Sequence, residues 1–206
     1  MRLFSYKLTT DCGFAPNPFF GTLTLACCKP EIRENRNVGD YVAGFTSKAL
    51  DGSEVGEEKL IYFMKITGKI PFSKYWIDPK FQNKKPDLDS PDLSRQIGDN
   101  IYEPVPHSTK FNQIPNKRHC ETDKETDLNS LQVLISTDFY YFGASAITLP
   151  EELRPSLPKG QSGQGYETKD EERINKLIEY LEKNYSKGVL NHPIMWDEND
   201  TSWRQI

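Results

Sequence analysis

Hydrophobic and polar residues alternate along several short stretches, and this period of two predicts β-strands. The clearest stretch, residues 40–47, places Val42, Gly44 and Thr46 on one face and Tyr41, Ala43, Phe45 and Ser47 on the other. Strand-favouring residues also fill positions 2–8, 22–28 and 60–66. Residues 131–136 and 139–147 predict a hairpin or two adjacent strands, because Thr137 and Asp138 supply a turn between them.

Helical periodicity is strongest near the C-terminus. Apolar side chains recur there at intervals of three and four positions, at Ile174, Leu177, Ile178 and Leu181. Thr168 and Glu171 fit a capping box and Gly188 ends the pattern, which therefore predicts an amphipathic helix over residues 169–187. A second, short helix is predicted over residues 72–77, where aromatic residues share one side.

Segments rich in proline, glycine and polar residues separate these elements. We interpret residues 84–130 and 150–168 as long loop insertions within a single domain that spans residues 1–206. Residues 9–21 are also irregular, yet they carry several phenylalanines. This segment either covers the core or forms one wall of a ligand pocket, and in the second case its polar side chains would supply specificity.

Length, charge and cysteine spacing narrow the class of protein. The 206 residues carry a formal net charge of −4, so the whole molecule is not expected to be a polyanion binder. No Cys-x-x-Cys pair occurs, so no metal site is expected. Buried apolar thiols are the default interpretation of Cys12, Cys27, Cys28 and Cys120. Without a signal peptide or a long apolar segment, we expect a cytoplasmic protein with no membrane contact, and the sequence implies no cofactor.

Familiar catalytic motifs, such as the glycine-flanked serine of hydrolases or a phosphate-binding loop, do not occur in the sequence. The candidate imidazole bases all lie in segments without a regular pattern: His107, His119 and His192. Carboxylates that would serve as general acids or bases if they were buried together are Asp11, Asp40 and Asp99. Each of them also sits at a predicted turn, where aspartate is expected for backbone reasons.

Motifs spread over the first 150 residues resemble one known family. They are Asp11-x-Gly13-Phe14-Ala15-Pro16-Asn17-Pro18-Phe19, Cys27-Cys28-Lys29-Pro30-x-Ile32-Arg33, Val38-Gly39-Asp40, Phe72-Ser73-Lys74-Tyr75-Trp76, Gly98-Asp99-Asn100-Ile101-Tyr102 and Tyr140-Tyr141-Phe142-Gly143. In these positions the chain is similar to the nucleotide-modification-associated domain, type 2, a phage and bacterial family linked to hypermodification of DNA bases. The resemblance implies a role beside modified nucleotides and supplies no catalytic residues.

The turn at Gly39-Asp40, with the strands on either side of the next turn, also resembles the core of PUA-like barrels. That superfamily includes the ASCH, EVE and YTH domains, which hold a nucleobase. The resemblance implies an α+β fold, namely a PUA-like mixed β-barrel with a few flanking helices that include the C-terminal amphipathic helix.

A nucleobase is bound by aromatic faces that stack on it and by polar groups that meet its edge. The predicted ligand-binding residues are Phe14, Asn17, Tyr41, Thr46, Ser47, Lys48, Trp76, Asp99, Asn100, Tyr140 and Tyr141. We expect them to converge at the barrel mouth from the loop at 14–17, the strand at 41–48 and the strand at 140–143. Lys48 and Arg33 would meet a phosphate.

The first hypothesis is binding of a modified nucleobase or nucleotide in this pocket, in association with DNA base hypermodification. The second is an enzyme that modifies the nucleotide or base through Asp or His residues of the loops. The third is a protein-interaction domain without a small ligand. Expected partners are a modified nucleobase, a nucleotide or DNA, and the sequence leaves a homodimer open.

Overall fold

Eleven strands run through the residues that the computed structural model describes, which are 1–159, 165–200 and 202–205. In chain order β1 to β11 are Leu3–Lys7, Leu23–Leu25, Tyr41–Phe45, Leu60–Lys65, Gly68–Pro71, Tyr102–Pro104, Phe111–Gln113, Gln132–Ser136, Asp138–Tyr141, Tyr166–Thr168 and Gly188–Val189. Helices α1 to α6 are Pro30–Asn35, Lys48–Asp51, Phe72–Ile77, Leu93–Gln96, Glu121–Asp127 and Glu171–Asn184. Short 3₁₀ segments lie at Pro79–Lys84, Gly143–Ser145, Glu151–Leu153 and Ser202–Gln205. The predicted α+β class is confirmed.

The strands form three sheets. The largest has the order β10-β1-β3-β4-β9-β11, with parallel pairing at β1–β3 and β9–β11 and antiparallel pairing elsewhere. The second has the antiparallel order β2-β8-β5, and β6 pairs with β7. These sheets do not close into a barrel within the described residues, so the predicted PUA-like barrel is not confirmed.

One long antiparallel ladder bends from the first sheet into the second. Its register runs from the Tyr62–Tyr141 pair in the six-stranded sheet to the Pro71–Gln132 pair in the three-stranded sheet. The chain passes from one sheet to the other near Thr67, between β4 and β5, and near Thr137, between β8 and β9. Residues 131–136 and 139–147 were predicted as neighbours; the strands found there, β8 and β9, belong to different sheets.

The two faces of the six-stranded sheet bury different cores, as the alternation in residues 40–47 predicts. Tyr41, Ala43 and Phe45 pack with the apolar side of α6. Val42 joins a second cluster that includes side chains of the three-stranded sheet, such as Leu25. The central strand is therefore covered on both sides, which explains why its residues are buried throughout.

Helix α6 is the C-terminal amphipathic helix that the sequence predicts. Ile174, Leu177 and Leu181 are its buried residues. The predicted capping box is wrong, because Asp170 is the N-cap and its side chain accepts a hydrogen bond from the backbone N–H of Arg173.

The segment 84–130 contains four short elements, α4, β6, β7 and α5, where the sequence analysis expects a long loop insertion. The segment 150–168 contains a 3₁₀ turn and β10, and its residues 160–164 lie outside the described residues. The chain after β11 packs back onto the N-terminal loop, where Trp196 is buried and donates from Nε1 to the carbonyl oxygen of Cys12 at 2.9 Å.

Candidate functional site

The structure places the predicted ligand-binding residues in several separate parts of the molecule. Asn17, Asp99 and Asn100 are fully buried in one hydrogen-bond network. Asp99 accepts from Thr24 Oγ1 at 2.6 Å and from the hydroxyl of Tyr75 at 2.7 Å. These polar groups are paired inside the protein, so they hold segments of the chain together and do not face a pocket.

The predicted tyrosines lie on opposite faces of the large sheet. Tyr41 and Tyr140 pack beneath α6, where the remaining cavity is about 20 Å³, room for little more than one water molecule. Tyr141 points the other way, and its hydroxyl donates to Asp11 Oδ1 at 2.5 Å. Trp76 is half-buried, and Lys85 Nζ lies 3.7 Å from its ring centroid.

The strand-end residues line a different hollow. Ser47 and Lys48 contribute to a cavity of about 270 Å³ together with Lys7 and Thr9. Ser47 Oγ donates to the carbonyl oxygen of Leu8, and Lys48 forms an exposed ion pair with Glu54 at 2.5 Å. Thr46 is buried and shares a hydrogen bond with Ser53. The predicted single pocket is therefore not formed by these residues.

A larger cleft lies between the end of β1, the turn after β2 and the helix α5. We call it the Cys28 cleft. Its volume is about 360 Å³, within the range of small-molecule sites. Its lining combines one aromatic ring, cationic groups and small polar side chains: Tyr6, Lys7, Leu8, Thr9, Thr10, Ala15, Cys28, Lys29, Pro30, His119, Asp123, Thr126 and Asp127.

The turn that carries Cys28 has an unusual backbone. Cys28 and Lys29 have φ values of 57° and 43°, in the left-handed region that L-residues rarely adopt, and Pro30 then begins α1. A buried guanidinium fixes this turn, because Arg33 Nε donates to the carbonyl oxygen of Cys28 at 2.8 Å and Nη2 donates to that of Asp127 at 2.5 Å. Arg33 is therefore a structural clamp and does not reach a phosphate as predicted.

A thiol, an imidazole and a carboxylate that line the cleft form a row in which each group contacts the next. Cys28 Sγ lies 3.4 Å from His119 Nε2, and His119 Nδ1 lies 2.7 Å from Asp127 Oδ2. The backbone N–H of Cys28 donates to the other oxygen of Asp127 at 2.6 Å. The hydroxyl of Tyr102 donates to Oδ2 at 2.7 Å, so the carboxylate is held from three sides.

The electrostatic surroundings favour the protonated, positively charged form of the His119 ring. Burial lowers the pKa of His119, but hydrogen bonds with Asp127 and Cys28 outweigh it and raise the pKa to about 10. An imidazolium beside a cysteine is the setting in which nucleophilic thiolates occur in proteins. Phe14, the one predicted site residue that reaches this region, packs edge-on against His119 with ring centroids 4.7 Å apart.

Lys29 follows Cys28 directly in the chain and carries a cation into the cleft. Its Nζ lies 4.8 Å from the ring centroid of Tyr6, over a second wall of the cleft. Burial lowers the pKa of Lys29. The lining of the cleft thus includes the largely buried ring of Tyr6, the Lys29 ammonium over that ring and the thiol of Cys28.

Within the described residues, Cys27, His119 and Asp127 are the group whose ligand atoms are close enough for a metal ion, within 4.8 Å of one another. Their existing contacts fit hydrogen bonding better than metal binding. Both Asp127 oxygens already accept hydrogen bonds, and burial raises the pKa of Cys27 well above its ordinary value, which disfavours the thiolate that a metal requires.

Sequence reasoning named His119 among the candidate bases but missed Cys28 and Asp127. It assigned all four cysteines to buried apolar thiols, which is wrong for the half-buried Cys28 and the exposed Cys120. The available signal was a cysteine followed by Lys29-Pro30, at the point where a strand gives way to a helix, together with a histidine elsewhere in the chain. Nothing in the sequence indicated that the histidine, 91 positions away, would be its partner.

The comparisons with known proteins point to one family. The family described as nucleotide modification associated domain 2 matches residues 1–200 of the 206. Searches of curated proteins and of solved structures gave no match. In the described part of the chain, every helix is too short or too polar to cross a bilayer. Because the match covers nearly the whole chain, the protein belongs to the nucleotide modification associated domain 2 family.

Proposed function

We propose that the Cys28 cleft binds a nucleotide, or a nucleobase of DNA, as part of nucleotide modification. The observation that carries this proposal is the lining of the cleft in a chain of this family. The largely buried ring of Tyr6 forms part of one wall, Thr10 offers a hydroxyl for a base edge or sugar, and Lys29, whose Nζ lies over that ring, offers a cation for a phosphate.

The place of the site differs from the one that the sequence suggests. Of the residues predicted to bind the ligand, Phe14 lies at the border of the Cys28 cleft, where its ring contacts His119. Lys48 occupies the neighbouring cavity, where it forms an exposed ion pair with Glu54. The resemblance to PUA-like barrels rests on the Gly39-Asp40 turn and the strands on either side of the next turn, and binding at the Cys28 cleft does not depend on it.

The test replaces each of two lysines in turn. Calorimetry then measures how tightly each variant binds a panel of nucleotides and modified nucleotides. Lys29→Asn removes the cation while asparagine tolerates the left-handed backbone at this position. We expect nucleotide affinity to fall about tenfold or more, the loss typical of one charge-assisted hydrogen bond.

Lys48→Gln removes the same charge outside the cleft and is the matched control. Its affinity should stay within about twofold of the unchanged protein, a difference of less than 0.5 kcal/mol. If Lys48→Gln weakens binding and Lys29→Asn does not, the site lies in the neighbouring cavity and the placement in the Cys28 cleft is wrong.

A further inference from the structure

We infer that Cys28 is a covalent nucleophile, activated by His119 and oriented through Asp127, which takes an acyl group from an ester, thioester or amide. The acceptor half of the reaction rests on the proposed function, because it places a nucleotide in the same cleft.

The geometry meets the requirements of a thiol nucleophile. The Sγ–Nε2 distance of 3.4 Å allows proton exchange between thiol and ring. The 2.7 Å contact from Nδ1 to Asp127 fixes the orientation of the ring, and Tyr102 in turn fixes the carboxylate. This is the arrangement of nucleophile, base and orienting acid that recurs on unrelated folds.

The surroundings of Cys28 differ from those of the other three cysteines. Cys12 and Cys27 are buried, and burial raises the pKa of each thiol, so they are poor nucleophiles. Cys120 is exposed, and its Sγ contacts the side chains of Thr122 and Asp123. Among the four cysteines, Cys28 alone combines access from a cleft with an imidazole contact within the described residues.

The first chemical step forms an enzyme thioester. A lone pair of the Cys28 thiolate attacks the carbonyl carbon and forms the S–C bond. The bond between that carbon and the leaving oxygen, sulfur or nitrogen breaks, and its electrons stay on the leaving atom. His119 Nε2 delivers the proton that neutralises the leaving group.

The second step returns the nucleophile. An amine or hydroxyl of a nucleotide, or water, attacks the thioester carbon while His119 Nε2 accepts its proton. The S–C bond breaks with its electron pair on Sγ, which restores the thiolate and the imidazolium. No oxidation or reduction occurs, and the net result is acyl transfer or hydrolysis.

The first experiment needs no variant and no nucleotide. The protein is treated with iodoacetamide at pH 6, and the labelling rates of Cys28 and Cys120 are read by peptide mapping. We expect Cys28 to react about a hundredfold faster, because its Sγ lies 3.4 Å from the imidazole of His119, whereas the Sγ of Cys120 contacts only the side chains of Thr122 and Asp123. Equal rates at the two cysteines would overturn the inference.

The second experiment tests the acyl step with p-nitrophenyl acetate. The unchanged protein should release a burst of one equivalent of nitrophenolate and carry one acetyl group on Cys28. Cys28→Ser and Cys28→Ala should lose the burst, His119→Gln should slow it about a hundredfold, and Cys120→Ser should retain it. A burst that survives in both Cys28 variants would contradict the assignment.

These outcomes are independent of nucleotide binding. If nucleotides fail to bind but the burst and the labelling ratio hold, the thiol chemistry stands and the proposed function fails. If nucleotides bind but Cys28 behaves like Cys120, the cleft is a binding site without a covalent step.

Discussion

At the scale of single residues, the sequence indicates side-chain chemistry but not whether a side chain faces solvent, a cleft or the core. Asn17 and Asp99 have the polar groups that a base edge requires, yet both are fully buried and fully paired. Lys84 is the cation at the centre of their network. Its Nζ donates to Asn17 Oδ1 at 2.8 Å and to the carbonyl oxygen of Thr22 at 2.9 Å.

This buried lysine predicts a pH dependence of stability. Burial lowers the pKa of Lys84 to about 7, although the charge of Asp99 opposes the shift. An unfolded lysine titrates near pH ~10.4, so between these values the unfolded chain holds a proton that the folded chain has lost. The free energy of unfolding therefore rises with pH through this window, by at most about 1.4 kcal/mol per pH unit, and this contribution is flat below pH ~7.

The measurement is urea unfolding of the unchanged protein and of Lys84→Met at several pH values from about 7 to 10. The difference in free energy of unfolding should grow in favour of the unchanged protein as pH rises. Lys74→Met, in an exposed position of α3, should give a curve parallel to that of the unchanged protein. Parallel curves for all three proteins would show that Lys84 does not titrate in this window.

At the scale of elements, periodicity predicts where six of the eleven described strands and two of the six α-helices lie, but not which sheet a strand joins. The strand at residues 41–45, the helix at 72–77 and the C-terminal helix were all predicted near their observed bounds. Strands β8 and β9 are separated by one residue and still enter different sheets, because the ladder bends between them. Such a bend depends on packing between distant segments, so a local pattern does not reveal it.

The central strand β3 provides a test of packing between elements. A Cβ added at Gly44 would overlap the ring of Tyr62 and a methyl group of Leu8. The hydroxyl of Tyr62 donates to that of Tyr6, which lines the Cys28 cleft, at 2.8 Å. We expect Gly44→Ala to lower the free energy of unfolding by roughly 1–3 kcal/mol and to disturb the cleft.

Gly68→Ala in β5 is the matched control, because its added Cβ would meet Ile135 at an ordinary contact distance of 3.5 Å. Thermal or urea unfolding of both variants gives the comparison. Gly68→Ala should change the free energy of unfolding by less than about 1 kcal/mol. Equal stability of the two variants would mean that the Tyr62 ring moves aside without cost.

At the scale of the whole molecule, the candidate site depends on contacts between segments far apart in the chain. Cys28 and His119 are 91 positions apart, and Asp127 lies in a segment that the sequence analysis interprets as a loop insertion. The family resemblance was correct because its motifs are local, and the family match over residues 1–200 confirms it. The line of thiol, imidazole and carboxylate could not be predicted in the same way, since no local pattern records which loop residues meet.

The segment around Trp196 packs against the loop after β1, and this contact predicts how the site is supported. Ile194 N–H donates to Asp11 Oδ2 at 3.0 Å, and the indole of Trp196 lies against Phe19 with ring centroids 5.3 Å apart. The loop that these residues hold begins next to Thr10 of the cleft. We expect Trp196→Ala to lower the free energy of unfolding by about 3–5 kcal/mol, the usual cost of removing a buried indole.

Met195→Ala is the neighbouring control, because this side chain is 52% exposed and its removal should cost less than about 0.5 kcal/mol. Urea unfolding gives the stabilities, and iodoacetamide labelling at pH 6 reports the cleft in the same samples. If the C-terminal segment supports the 11–13 loop, Trp196→Ala should also slow the labelling of Cys28 while the protein remains folded. If Trp196→Ala keeps full stability, or loses stability while the labelling rate of Cys28 stays unchanged, the C-terminal segment does not support the site.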